Sequence, residues 1–412
     1  MTEKRKSKNF FIKGTRGLDT NLIVITMFLI VFGLIMVYSA SYYKCSMTKS
    51  FNYDSMYFLK NQALMSVAGL VVMLVVSSIN YHFWKKKWVI SLAVILSIGL
   101  TLVLKIPSLS ITANGATRWV KLGPISFQVA EPVKIAVIMV TAWLANRYAL
   151  QEVKWRKFTI KHWVITGAVM LFPGVGLAAF LGLISSNMSS ALIIAMIGFV
   201  MYFAWHPKSA FFYIATIVAL VGVGVLIYVI SQQSVVDAGE GFRLTRIRAW
   251  LDPYSYESDT SYQSLQALYA IGSGGLFGKG LGNSIQKLGS IPEPYNDFIF
   301  AIVCEELGVL GASLLMLMFI YLLYRIFIIA QKAEDLFGRM LAIGVFAHIA
   351  LQVVLNIAVV TAVLPNTGVT LPFISYGGTA TVFLLIEIGV VLSVHKWGEL
   401  KREEDLRMEE LR

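Results

Sequence analysis

The sequence predicts an all-α polytopic membrane protein of ten transmembrane helices, with one large extracellular loop between helices 7 and 8. Three observations predict it. Of 412 residues, 57% are hydrophobic and only 14% are charged, whereas a soluble domain is about a quarter charged and needs a polar skin. The apolar residues gather in continuous runs rich in Leu, Ile, Val and Met, unlike the alternating segments of a membrane barrel. The basic residues fall unequally on the two sides that alternate connections define. The same composition excludes an ordinary cytoplasmic enzyme, a disordered chain and a collagen-like fibre, and the scatter of the basic residues argues against a nucleic-acid partner.

Ten runs come near the roughly 20 residues that a crossing helix needs. They are Leu22–Tyr38, Ala63–Ile79, Trp88–Leu104, Phe127–Ala145, Trp163–Ile184, Met188–Trp205, Ala210–Ile230, Phe298–Ala330, Met340–Leu364 and Phe373–Val394. Ser39-Ala40-Ser41 would suit the cleavage site of a signal peptide, but the first run is long and nine more follow it. Lys4, Arg5, Lys6, Lys8, Lys13 and Arg16 place the amino terminus in the cytoplasm. Lys85–Lys87, the 147–161 connection, Lys208, the 325–339 connection and the tail then share that side, with 23 of the 35 basic residues. Residues 1–412 read as a single integral membrane domain with no soluble domain at either end. Within it, 1–21 and 395–412 are cytoplasmic, and 231–297 is the large outer loop. Cys45 and Cys304 lie far apart in sequence and read as unpaired thiols.

Ionisable residues inside a membrane are costly, so each is a functional candidate. Asn114-Gly115 signals a turn on the outer side, followed by Arg118 and Trp119 at headgroup level, where an Arg can hold phosphate. Glu131 and Lys134 are three apart on the fourth span and can pair. Arg243, Arg246 and Arg248 make a basic patch in the outer loop that suits an anionic headgroup or a pyrophosphate, or else a solvated loop face. The run Gly272–Gly282 is not a phosphate-binding Walker loop, because its Gly-Lys spacing fails; it reads as close-packed backbone near a ligand. Asp297 stands at the mouth of the eighth span, where spacing alone favours a helix cap over a base. Glu305 and Glu306 lie deeper, as partners for Lys134 or Arg118. The stretch Leu364–Thr379, with two prolines and three glycines, reads as a re-entrant approach to the last span, with Ser375, Tyr376 and Thr379 offering hydroxyls to a cavity. His348 reads as an interhelical hydrogen bond. No metal-ligand cluster stands out, nor any Ser-His-Asp arrangement.

These motifs resemble those of the SEDS family (shape, elongation, division and sporulation), whose members include FtsW, RodA and SpoVE. Leu371–Thr379 resembles its signature. Tyr38–Ser41, the stretch Asn114–Lys134, the run Gly274–Gly282 and the stretch Pro292–Gly308 resemble further motifs, so the likeness covers nearly the whole chain. Val129-Ala130 departs from the family's usual Pro-Ser. Asn187–Ser190 stands where many members have Asp-Leu-Gly-Thr. Thr367–Pro372 looks closer to the FtsW and SpoVE branch than to RodA.

The resemblance implies a ten-helix, inverting peptidoglycan glycosyltransferase. It would polymerise lipid II into β-1,4 glycan at the outer face of the bacterial plasma membrane, for septal wall synthesis in cell division. A class B penicillin-binding transpeptidase and other divisome membrane proteins are the implied partners. The essential carboxylate of the family falls on Asp297, which replaces the capping reading of that residue. Substrate contacts are expected from Arg118, Trp119, Glu131, Lys134, Arg243, Arg246, Arg248, Glu306, Ser375, Tyr376, Gly377 and Gly378. No cofactor is required by these residues, and a divalent cation, Mg2+ or Mn2+, is the candidate for help at the diphosphate. The alternatives are a lipid II flippase, a non-catalytic scaffold for the transpeptidase, and a RodA-like elongation or SpoVE-like sporulation polymerase.

Overall fold

The computed structural model describes residues 17–113, 116–123, 125–152, 160–205, 250–254 and 261–410. Their helices are α1 (Thr20–Met47), α2 (Tyr57–Ser78), α3 (Lys87–Val103), α4 (Ala130–Glu152), α5 (Ile160–Ser185), α6 (Met188–Trp205), α7 (Tyr262–Gly274), α8 (Ile299–Lys332), α9 (Leu336–Val360) and α10 (Gly378–Glu410). Among the described residues, seven helices are long and apolar enough to cross a membrane, namely α1, α2, α5, α6, α8, α9 and α10. Helix α3 is apolar but has only 17 residues. The expected span Ala210–Ile230 and the patch Arg243, Arg246 and Arg248 lie outside the described residues. The other expected spans fall on these helices. The bundle is apolar on its outer surface as well as inside: α1 buries Leu22, Leu29 and Met36 yet exposes Val24, Phe28, Val31 and Ile35. Water would not tolerate such a surface, whereas lipid does.

The all-α expectation needs one correction. Strands β1 (Ser110–Ala113), β2 (Ala116–Leu122) and β3 (Ile125–Gln128) form an antiparallel sheet in the order β1-β2-β3. The local sequence explains it: Ile111, Thr112, Thr117, Val120 and Phe127 are β-branched or aromatic. The register slips between Ile111 and Thr112, which pair with Trp119 and Thr117, so Arg118 is the extra residue of a bulge. Helix α4 therefore starts at Ala130 rather than Phe127. Similarly, α10 starts at Gly378 rather than Phe373, because Phe373 has a left-handed backbone (φ 63°) inside a tight turn.

Helix α8 is broken at Gly308, whose backbone (φ 67°, ψ −168°) is not helical. A break inside a membrane leaves polar backbone groups without partners, and these must be satisfied by protein. Here the glycine-rich run after α7 supplies them. The N–H groups of Lys279 and Gly280 donate to the carbonyls of Glu305 and Glu306, both at 2.9 Å. In return, the N–H groups of Val309 and Leu310 donate to the carbonyls of Gly275 and Leu276, at 3.0 and 3.1 Å. The two backbones touch: a Cβ on Gly278 would stand 2.2 Å from the Glu306 carbonyl oxygen. The run is thus close-packed, as its glycines suggest, but against a helix of this chain.

At the opposite end of the bundle, two aspartates tie the helices, Asp19 buried and Asp335 partly so. Asp19 caps α1 through the Leu22 N–H at 2.8 Å and also meets Arg325 of α8. Asp335 caps α9 through the Gly338 N–H (2.9 Å) and accepts from the Tyr81 hydroxyl (2.9 Å) and from Lys85 (3.2 Å). Burial pushes the Asp335 carboxyl up, but Gly338, Tyr81, His82 and Lys85 outweigh it and hold the group below its ordinary range. A carboxyl depressed in the folded state stabilises above its unfolded pKa of about 4 and loses that contribution as the pH falls through the folded value. Asp335→Asn should therefore cost about 1–3 kcal/mol near pH 7. In thermal unfolding in detergent, the gap to the unaltered chain should close as the pH is lowered below 4.

Candidate functional site

Asp297 lies two residues before α8, and three separate parts of the chain surround it. From α9, the fully buried Asn356 donates its Nδ2 to the Asp297 carbonyl and to the Val369 carbonyl, both at 2.7 Å. This one side chain stitches the loop before α8 to the connection between α9 and α10. On that connection stands Gly368, with φ +67°. A methyl group on Gly368 would lie 3.7 Å from Asp297 Oδ2 and 3.9 Å from Arg118 Nη1. Arg118 arrives from β2, where the bulge takes it out of the pairing with β1 and so re-aims its side chain. Burial pulls the Arg118 guanidinium down from its ordinary value, and the Asp297 charge pushes it back up; it stays protonated. A half-buried carboxylate and a guanidinium thus face the same small space beside a residue with no side chain. A carboxylate there can accept a proton, and a guanidinium can stabilise a developing anion.

The support lies in the Glu305-Glu306 pair, just before the break in α8. Both side chains are buried, and the expected partners Lys134 and Arg118 are not the ones they take. Glu305 accepts from Lys279 Nζ (2.7 Å), Ser284 Oγ (2.5 Å) and the Ile285 N–H (3.0 Å). Glu306 accepts from Lys287 Nζ (2.6 Å) and from Ser39 of α1 (2.7 Å). Desolvated carboxylates need partners of opposite charge, and the two lysines of the loop are nearer in the chain than either expected partner. Glu306 therefore anchors the loop that leads to Asp297; it has no surface to offer a substrate.

The other expected site residues divide. Trp119 is half-buried on β2, opposite Ile111 and Gln128. Glu131 and Lys134 pair at 2.8 Å and are both buried. Beside them lies a second buried pair, His348 of α9 and Glu387 of α10, at 2.7 Å, the interhelical bond expected of His348. The Ser375 hydroxyl does not face a cavity: it is buried and accepts from the Leu371 N–H at 2.8 Å, closing the turn. The Tyr376 ring packs on Phe58 and Tyr295, and its N–H donates to the Tyr295 carbonyl at 2.8 Å. The Gly377 N–H donates to Gln62 Oε1 of α2 at 3.1 Å. A Cβ on Gly378 would press on Met65 of the same helix, 2.7 Å away. The signature segment thus braces the Asp297 loop against α2. Asn187 caps α6, and Ser189 donates to the Thr367 carbonyl at 2.6 Å, one residue from Gly368. Asn356, Gln62, Ser189 and Gly368 were not singled out from sequence, although an Asn inside an apolar run such as 353–360 is a signal of the kind that marked His348.

Among the described residues, no three His, Cys, Asp or Glu side chains converge on a metal position. The Arg118 guanidinium already supplies the cation next to Asp297. Among the described residues, the donors beside Asp297 do not make up a set of oxygen ligands for Mg2+ or Mn2+.

The fold and site define a multi-pass membrane protein with a carboxylate and a guanidinium side by side at one end of its bundle. Residues 19–399 match the family model FTSW_RODA_SPOVE, described as cell cycle protein. The chain belongs to that family. It is 36% identical over 386 residues to the "Probable peptidoglycan glycosyltransferase FtsW" of Geobacter sp. (strain M18), covering 93% of this chain and 98% of the relative. It is also 36% identical over 384 residues to the "Stage V sporulation protein E" of Bacillus subtilis (strain 168), covering 92% and 97%. Its fold is similar to a chain of the structure reported as "Structural coordination of polymerization and crosslinking by a peptidoglycan synthase complex", with a TM-score of 0.68 at 23% identity over 92% of this chain and 98% of that one. The rod shape determining protein RodA of Thermus thermophilus is similar too, with a TM-score of 0.59 at 24% identity over 92% and 96%.

The anchoring role of Glu306 has a direct consequence. Glu306→Gln or Lys287→Met alone leaves a buried charge without its partner and should cost about 3–5 kcal/mol. The double variant should lose much less than the sum. Thermal unfolding of the four chains in detergent measures this, and additive losses would argue against the pairing.

Proposed function

We propose that this chain polymerises lipid II into β-1,4 glycan at the outer face of the cell membrane, with Asp297 as the general base. The enzyme class is peptidoglycan glycosyltransferase, as in the name of the Geobacter relative. The observation that carries the residue assignment is the meeting of Asp297 and Arg118 at Gly368. Lipid II carries its sugar on a diphosphate, which departs readily, so one base is sufficient. A glycosidase, by contrast, needs a second carboxyl for its poor leaving group. Asp297 takes the proton of the acceptor 4-hydroxyl as that oxygen bonds to the donor anomeric carbon. The bond from that carbon to the diphosphate breaks, and its electron pair leaves with the phosphate oxygen. Displacement from the opposite face inverts an α-linked donor to a β linkage. Arg118 offsets the charge on the departing diphosphate.

One observation supports the placement. The basic residues of the sequence concentrate on the connections opposite the Asp297 end, a bias that supports an outward-facing Asp297 end. Septal synthesis in division is the role we favour, from the FtsW relatives; SpoVE-like sporulation is the neighbouring alternative at equal identity. A class B transpeptidase partner accords with the similarity to a synthase complex that couples polymerization and crosslinking. The flippase reading requires a polar path at mid-depth. The Glu131–Lys134 and His348–Glu387 pairs are instead buried pairs within the bundle, which favours the polymerase.

Asp297→Asn, still folded in the membrane, should lower lipid II polymerisation by about 100-fold or more. Arg118→Lys, which keeps the charge but loses the planar fork, should retain more activity than Arg118→Ala. Glycan-chain gels of purified protein with lipid II, with and without a class B partner, read both. Normal polymerisation by the Asp297 variant would overturn the assignment.

A further inference from the structure

The run after α7 carries a feature that its place in an outer loop does not explain. Leu276, Phe277, Leu281, Ile285 and Leu288 are between 43% and 76% exposed, with Phe277 the most exposed of them. The only charged residues between 272 and 291 are Lys279 and Lys287. Both turn inward. Lys279 Nζ meets Glu305 and Ser273, at 2.7 and 2.9 Å, and Lys287 Nζ meets Glu306 and Ser39, at 2.6 and 3.1 Å. An aqueous loop would do the reverse, with lysines out and leucines in.

Depth points the same way. Gly278 touches α8 at Glu306 and Gly308, and Gly308 lies nine residues past Ile299, about 13 Å down the helix at 1.5 Å per residue. Lys287 meets Ser39, eight residues before the end of α1 and about 12 Å below it. The run therefore packs well below the helix ends, in a bundle built to cross about 30 Å of hydrocarbon. Its exposed side chains continue the exposed apolar side of α8, where the neighbouring Val309 and Leu310 are followed by Leu314 and Leu317. The backbone exchange with the break in α8 satisfies polar groups that lipid could not.

We infer that residues 275–288 form a membrane-embedded segment whose apolar face rests in the acyl chains of the bilayer, with both lysines neutralised inside the protein. The loop expected between 231 and 297 is thus aqueous only in part, and the segment leading to Asp297 is supported from within the membrane.

The test uses the full chain in phosphatidylethanolamine–phosphatidylglycerol vesicles. Phe277→Cys and Ile285→Cys are spin-labelled, with Leu314→Cys as the hydrocarbon reference and Glu293→Cys as the water reference. The native Cys45 and Cys304 are buried, and the unaltered chain, labelled in parallel, gives the background. Collision with oxygen and with a water-soluble nickel chelate is read by electron paramagnetic resonance. The expected result is an oxygen-to-nickel ratio at 277 and 285 close to that at 314 and several-fold above that at 293. A ratio matching 293 would overturn the inference in favour of water. Low access to both reagents at both positions would overturn it in favour of a protein cover.

Discussion

Two adjacent carboxylates in a membrane helix, Glu305 and Glu306, are the constraint from which the rest of the site follows. Lipid cannot solvate them, so each must find a cation and hydrogen-bond donors from the protein. Consecutive helical residues point about 100° apart, so the two cannot share one partner. Glu305 gathers Lys279 and the 284–286 turn; Glu306 gathers Lys287 and Ser39. Between them they draw a loop down along α8 and onto α1. The break at Gly308 serves the same end, exposing backbone groups that the loop completes. The last residues before α8, Asp297 among them, then leave a fixed base.

The site itself is assembled from places far apart in the chain. A strand bulge aims Arg118, a buried amide on α9 holds the Asp297 loop, and a glycine between α9 and α10 leaves room beside both groups. Each device is modest alone. Together they set a base and a cation next to each other in a half-buried setting, where the charge of each acts on the other with less screening than in water. The signature segment 371–378 contributes from behind. The Ser375 hydroxyl closes the turn, the Tyr376 amide meets Tyr295 and the Gly377 amide meets α2, so the segment braces the Asp297 loop.

How much was legible in the sequence follows from the range of the forces involved. The helices were readable because a bilayer demands long apolar runs, and that demand is local. Glu131 with Lys134 was readable because helical spacing alone brings residues three apart together. The sheet was overlooked because its short strands sit between two apolar helices and carry no long pattern. The partners of Glu305 and Glu306 are not legible in the sequence, because ion pairing across a bundle depends on loop paths, which periodicity does not encode. Asn356 and Gln62 were overlooked since each is a single polar residue in an apolar run whose partner comes from another part of the fold.

The opening numbers, 57% hydrophobic and 14% charged, are sufficient to say that lipid surrounds this chain. The sequence by itself determined the membrane class, most of the helices and, through its motifs, the family. Only the tertiary structure decided which charges meet. It turned Glu306 from a substrate contact into an anchor, and it brought Arg118 to Asp297 across nearly half the chain. The reason is physical: hydrophobic transfer sums over local composition, whereas a buried ion pair or hydrogen bond depends on distances of a few ångströms that only the packed chain sets.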